Sequence, residues 1–211
     1  LKESKIFKKF PFFREQVEYC PEIEKQILPV SVDETLVQNV YRKKPESEKS
    51  TVKGINSTGV NELFNTGDIL TTVLKDVFQN VNVYEDRVRL LQYPFDSPIS
   101  DNGISFYRYY IMDTLYVEQD KCFHLTFVPN NSQDFGFTGH LYILADSTFR
   151  LKECVLNLPK KTDVNFVENM QITQLFGALP TGEWVQTTDD MLCELNMFGG
   201  RFMVRRVTRK S

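Results

Sequence analysis

The chain has 211 residues, 41% hydrophobic and 25% charged, with a formal net charge of −3. This is ordinary globular composition, which excludes a disordered chain or a coiled coil, and it leaves no domain-wide positive field to hold a nucleic-acid backbone. No apolar stretch approaches the roughly 20 residues that a membrane-spanning helix needs.

Residues 1 to 29 are irregular, with Phe7, Phe10, Phe12 and Phe13 clustered around Pro11 and room for a short helix over Phe13 to Tyr19. The stretch SVDETLVQNVYRKKPESEKSTVKGI then alternates around a charged connection from Lys43 to Ser50, which predicts a hairpin. In TGDILTTVLKDVFQN, the residues Ile69, Leu70, Val73, Leu74, Val77 and Phe78 recur at three- and four-residue spacing. That predicts an amphipathic helix near 66–80, with Thr66 or Asp68 as its cap.

Nearly everything after it reads as strand: Val83 to Leu91, Ile104 to Glu118, Lys121 to Val128, Phe135 to Leu144 and Phe149 to Leu158. Phe166 to Phe176, Glu183 to Leu195 and Arg201 to Arg209 follow. Short connections imply an antiparallel meander. On Ile104 to Glu118 both faces are aromatic, which predicts a strand covered on both sides. Seventeen Phe and nine Tyr suit a sheet-dominated core. The expected fold is α+β, mainly β: a single domain over 1–211, in which a curved antiparallel meander, a half-open barrel, packs around the helix.

Sequence offers several candidates for chemistry. If the loop near Ser132 sets the register, His124 falls opposite His140; if the turn near Ser147 does, His140 falls opposite Cys154. Cys122 shares the face of His124. Cys122, His124, His140 and Cys154 are residue types that zinc accepts, but three strands spread them over roughly 10 Å, and a one-residue slip would remove a member. A Cys122–Cys154 disulfide is a further possibility. Asp101 with Asp113, and Asp189 with Asp190, have nothing that joins them in one pocket. No GxSxG, GxxxxGK[ST] or GxGxxG occurs, and Trp184 reads as core. No catalytic residue, metal or cofactor is therefore assigned, and the chain is expected not to be an enzyme. The basic residues at the ends (Lys2, Lys5, Lys8 and Lys9; Arg201, Arg205, Arg206, Arg209 and Lys210) read as solvated tails or an anionic-surface contact. The remaining candidate is the concave face, where Phe106, Phe123, Leu125, Phe127, Leu141 and Ile143 would line a hollow for an acyl chain or another apolar ligand, unless the helix fills it.

The blocks SPISDNGISFYRYYIMDTLYVEQDKCFHLTFVP and FTGHLYILADSTFRLKECVLNL resemble an uncharacterised family of Bacteroidetes outer-membrane proteins. LPVSVDETLVQNVYRKKPESEKSTVKGI, LKDVFQNVNVYED, KKTDVNFVENMQI and EWVQTTDD support the resemblance, which spans most of residues 28 to 195. In that family a carboxypeptidase-regulatory-like sandwich precedes such a region and a membrane β-barrel follows it. The region itself is similar in element order to the half-barrel of periplasmic lipoprotein carriers. The resemblance implies a piece of a longer protein on the periplasmic side of the outer membrane, with its own barrel and sandwich as partners. Its function would be non-enzymatic, the binding of a lipid, a lipoprotein acyl chain or a partner segment during transport or assembly. A purely structural spacer is the alternative, and a metal-dependent hydrolase a remote one.

Overall fold

The computed structural model of the chain describes residues 17–20, 25–27, 31–43, 46–59, 75, 77–91, 93–158, 166–197 and 200–210. The fold is mainly β, and the chain divides into two compact units, Leu1–Gly67 and Asp68–Ser211.

Among the described residues, the first unit holds two hairpins. β1 (Glu18–Cys20) pairs with β2 (Lys25–Ile27), and β3 (Ser31–Lys43) pairs with β4 (Glu46–Gly59), all antiparallel. The long hairpin is the one predicted, with a tighter connection than Lys43 to Ser50. Of the short helix expected over Phe13 to Tyr19, residues 13–16 lie outside the described residues, while Glu18 and Tyr19 belong to β1.

The second unit is built on an open seven-stranded antiparallel meander, ordered β13-β12-β11-β10-β9-β8-β7. Its strands are β7 (Tyr107–Val117), β8 (Asp120–Pro129), β9 (Thr138–Leu144), β10 (Leu151–Asn157), β11 (Val167–Ala178), β12 (Trp184–Met197) and β13 (Gly200–Arg209). A small hairpin of β5 (Arg87–Leu90) and β6 (Tyr93–Asp96) and one helical turn, α1 (Gly103–Phe106), lead into it. Sequential pairing follows from the short connections, because an antiparallel strand needs only a tight turn to return. Of the predicted helix near 66–80, Lys75 and Val77 are helical and Val77 is buried in the core, whereas Phe78, Gln79 and Asn80 are not helical; residues 66–74 and 76 lie outside the described residues.

One face of the meander carries the core. Phe127, Leu141, Cys154, Leu156, Met170, Ile172, Met191 and Leu195 are buried there with Val77, Val81 and Val83. Each such side chain withdrawn from water contributes on the order of 1.5–3 kcal/mol. Phe95 stacks between Phe135 and Phe137, with ring centroids 4.8 and 4.4 Å away. Buried Tyr107 ties this cluster to the sheet: its hydroxyl donates to the Asp96 carbonyl (2.7 Å) and accepts from the Phe137 amide (3.2 Å).

The segment before β5 is fastened by polar groups. Arg206 on β13 donates to the carbonyls of Phe78 (2.7 Å) and Gln79 (3.1 Å), and Gln174 on β11 donates to that of Val81 (2.8 Å). Both also reach Asp189 on β12, at 3.1 and 2.9 Å. Three of the basic residues at the C-terminal end are thus strand residues with partners: besides Arg206, Arg205 forks onto Asp190 and Arg201 meets Glu168.

Two variants test this packing. At Gly139, opposite Phe127 on β8, an added Cβ would collide with the Val155 carbonyl and sit 3.1 Å from the Phe127 ring. Gly139→Ala should cost roughly 1–3 kcal/mol in chemical denaturation, more than Gly177→Ala, where the nearest atom is the movable Thr187 Cγ2 at 3.3 Å. Arg206→Ala would strand two carbonyls and the Asp189 carboxylate. It should cost about 3 kcal/mol and speed amide exchange across Phe78 to Asn80, the segment its hydrogen bonds hold.

Candidate functional site

On β8, Leu125 and Phe127 pack toward the core, so His124 and Thr126 face the other way. β9 repeats the pattern, with Leu141 and Ile143 inward and His140 and Tyr142 outward. The outer face therefore presents a row of polar rings. Asp113 on β7 lies opposite His124, and its Oδ1 is 2.9 Å from Nδ1 of that ring. His124 Nε2 lies 2.9 Å from His140 Nδ1, and the His124 ring stacks on Tyr142 at 4.7 Å and 13°. Burial, and then the neighbouring His124, hold His140 below the ordinary imidazole pKa. Burial raises Tyr142, with the Glu153 and Asp113 carboxylates adding to it.

Of the four residues singled out as zinc-type ligands, this face gathers three. Cys122 is buried beside Val117, Leu144 and the partly buried Tyr142, and both histidines stand on the same side. Cys154 does not join them. It pairs with Leu141 and lies in the main core, while Val155 takes the place opposite His140. The reason is a β-bulge. Leu151 pairs with Ile143, as the turn near Ser147 predicts, and then the extra residue Lys152 shifts the register by one and reverses the faces. The offset between β8 and β9 is two residues (Thr126, not His124, pairs with His140), which preserves the face and brings the rings together diagonally.

Cys122, Cys154 and Cys193 are free thiols. Burial pushes all three up in pKa, Cys193 to about 12, so none is poised as a thiolate. The carboxylate pairs considered from sequence separate as well. Asp113 serves His124, and Asp189 and Asp190 lie in β12, not in a turn, paired with Arg206 and Arg205 respectively. Among the described residues, no group of three or more His, Cys, Asp or Glu side chains is placed to hold a metal ion.

The six residues proposed for the concave face lie on or beside the core. Phe127 and Leu141 are buried within it, and Phe106, Leu125 and Ile143 pack against it. Phe123 is the most open, 37% exposed. β7 departs from expectation. It is the edge of the sheet, and Tyr110, Ile111 (78% exposed), Met112 (58%) and Tyr116 (68%) face solvent, so it is not covered on both sides. Aromatic alternation cannot distinguish a strand buried between two layers from an edge strand awaiting a neighbour.

The family comparison adds one result. A family of unknown function (DUF5686) has a model that matches residues 1–210. The chain belongs to this family. Neither a curated protein nor a solved structure matches it.

In this DUF5686 domain, sequence reasoning missed a buried charge beside the bulge. Lys152 is nearly covered, and its Nζ meets Glu118 (2.6 Å) and Asp120 (2.9 Å). Burial opposes its charge, but the two carboxylates win and its pKa is raised. Next to it, half-buried Glu153 is raised by burial and by Glu118, against the pull of Lys152. A carboxyl raised in the folded state stabilises fully below its unfolded pKa near 4.5, and that contribution is lost as pH climbs through the folded value. Glu153→Gln should therefore raise the melting temperature at pH 7 and leave it unchanged below about pH 4. A lower melting temperature at pH 7 would contradict this account.

Proposed function

We propose that the domain is a non-enzymatic binding module that takes up an extended segment of a partner protein by strand addition along β7. The observation that carries this reading is the eleven-residue edge with four exposed large apolar or aromatic residues, Tyr110, Ile111, Met112 and Tyr116. An edge strand has a row of backbone donors and acceptors with no neighbour. Soluble proteins normally protect such edges with Lys, Pro or a covering element, and exposed apolar side chains there match strand-addition recognition. The concave face is a weaker candidate because Phe127 and Leu141 are spent on the core.

The resemblance to outer-membrane proteins supports a periplasmic setting. There the segment would belong to the attached barrel or sandwich, or to a lipoprotein in transit or assembly. If strand addition fails, the inner face of the sheet is where an acyl-chain ligand would be sought.

Photo-crosslinking in the intact cell envelope tests the proposal. With the probe at Ile111 of the full-length protein, a discrete protein adduct is expected, with the label on an extended apolar stretch. The adduct should vanish when Tyr110→Lys and Met112→Lys are added, and the probe at exposed Phe149 should give none. Equal labelling at both positions, or lipid adducts alone, would reject strand addition.

A further inference from the structure

We propose that Asp113, His124 and His140 form a one-proton latch across β7, β8 and β9 that opens in acid. The three groups meet in line: Asp113 Oδ1 lies 2.9 Å from His124 Nδ1, and His124 Nε2 lies 2.9 Å from His140 Nδ1. An ionised carboxylate only accepts, so His124 donates through Nδ1–H and its Nε2 keeps a lone pair. His140 then donates to that lone pair through its own Nδ1–H. Asp113 on the edge strand thus fixes both tautomers, and one hydrogen lies between the facing nitrogens.

That geometry accepts one further proton and resists a second. Added to the far nitrogen of His140, Nε2, the first proton lets the shared hydrogen pass to His124 Nε2. The charge then rests on His124 against the Asp113 carboxylate, and a charge-assisted hydrogen bond still joins the two rings. The second proton has only His140 Nδ1 to go to. It sets two N–H groups head to head and two cations on rings whose centroids are 5.1 Å apart, so the line must part. The lowering of His140 by burial and by His124 agrees with this resistance.

The groups around the row leave the switching to the two rings. Tyr110 and Asp113 from β7, Cys122 on β8, Tyr142 on β9 and Glu153 from β10 share this face. Burial raises Cys122 and Tyr142, which stay uncharged near neutrality. Arg108, farther along β7, donates to Asn130 at 3.2 Å, and Lys152 is held by Glu118 and Asp120. Glu153 is raised and also changes charge in acid, so its Gln variant is the background that separates its share. Because β7 has a backbone neighbour on one side only, the latch is a side-chain tie from this edge to β9. Opening it breaks that tie and turns the row from net negative to net positive.

The chain has two histidines, so a long-range ¹H–¹⁵N spectrum of the full chain follows these two rings alone. At pH 8 both should be neutral Nδ1–H tautomers. On acidification they should charge in separate steps, the later one at His140 and below the ordinary imidazole value near 6.5, with the shifts of both rings moving in it. The unfolded chain takes that proton near 6.5 and the folded chain resists it. Stability is therefore full above about 6.5 and falls as pH drops from there through the folded value, by up to about tenfold in the folding equilibrium per pH unit. His140→Gln should abolish this fall, with Glu153 or with Gln at position 153. Asp113→Ala should release the tautomer, so that Nε2–H appears on His124 at pH 8. A single common step near 6.5, or Nε2–H on His124 in the unaltered chain at pH 8, overturns the latch.

Discussion

The structure of the second unit hangs on the carboxylate of Asp189. It lies between β11 and β13, accepts from Gln174 and Arg206, and through them orients the donors that hold the backbone from Phe78 to Val81. A meander presents an apolar face but specifies no position along it for a covering segment. Hydrophobic contact is non-directional, and Val77, Val81 and Val83 would be nearly as well buried one residue along. Hydrogen bonds to particular carbonyls remove that freedom, because a slipped segment would leave buried donors unmade. Gln174 Oε1 and Arg206 Nε have no protein partner in this network. One is an acceptor and the other a donor.

Much of the sheet was legible in the sequence because its pattern has a period of two. The alternation of Phe123, Leu125 and Phe127 with Cys122, His124 and Thr126 separated the two faces of β8, and Leu141 with Ile143 did so on β9. The open meander of short connections follows from the turns at Gln119-Asp120, Ser147 and Pro180-Thr181-Gly182. Face is a matter of parity, which is why the His124–His140 meeting survived a two-residue offset while Cys154 was lost to a single extra residue. Nothing in FRLKECVLNL marks Lys152 as that residue. Its side chain is drawn to Glu118 and Asp120, which lie more than thirty positions away. Edge position was illegible too, since it depends on the order of strands in space and not on any one strand's composition. Among the described residues of the amphipathic stretch near 66–80, Val77 is buried and Phe78 packs against the core, as the apolar stripe requires, while Lys75 is exposed.

The two faces divide the protein's labour. The inner one is apolar, dense and occupied. The outer one carries exposed or half-exposed polar rings and charges that the fold does not require, since the core would be the same without the Asp113–His124–His140 row. Groups dispensable for packing are where a domain of unknown function has room for chemistry. The turn between β7 and β8 shows the opposite case. Glu118 adopts φ 54°, a left-handed conformation that costs a non-glycine residue roughly 1–2 kcal/mol. Glycine would relieve the strain there but would leave Lys152 with one carboxylate fewer.

The order of the sheet carries a consequence for how the domain assembles. Every strand from β8 to β13 pairs with its predecessor in the chain, so the meander can grow by successive short returns. The anchoring of Val81 by Gln174 spans 93 residues, against 15 for the contact of Gln174 with Asp189. Closing the longer loop costs about 1.6 kcal/mol more in chain entropy. Its donors and carboxylate come from β11, β12 and β13, so they face one another only once those strands are paired. The segment that seals the core is therefore the last to be seated and the first to lift.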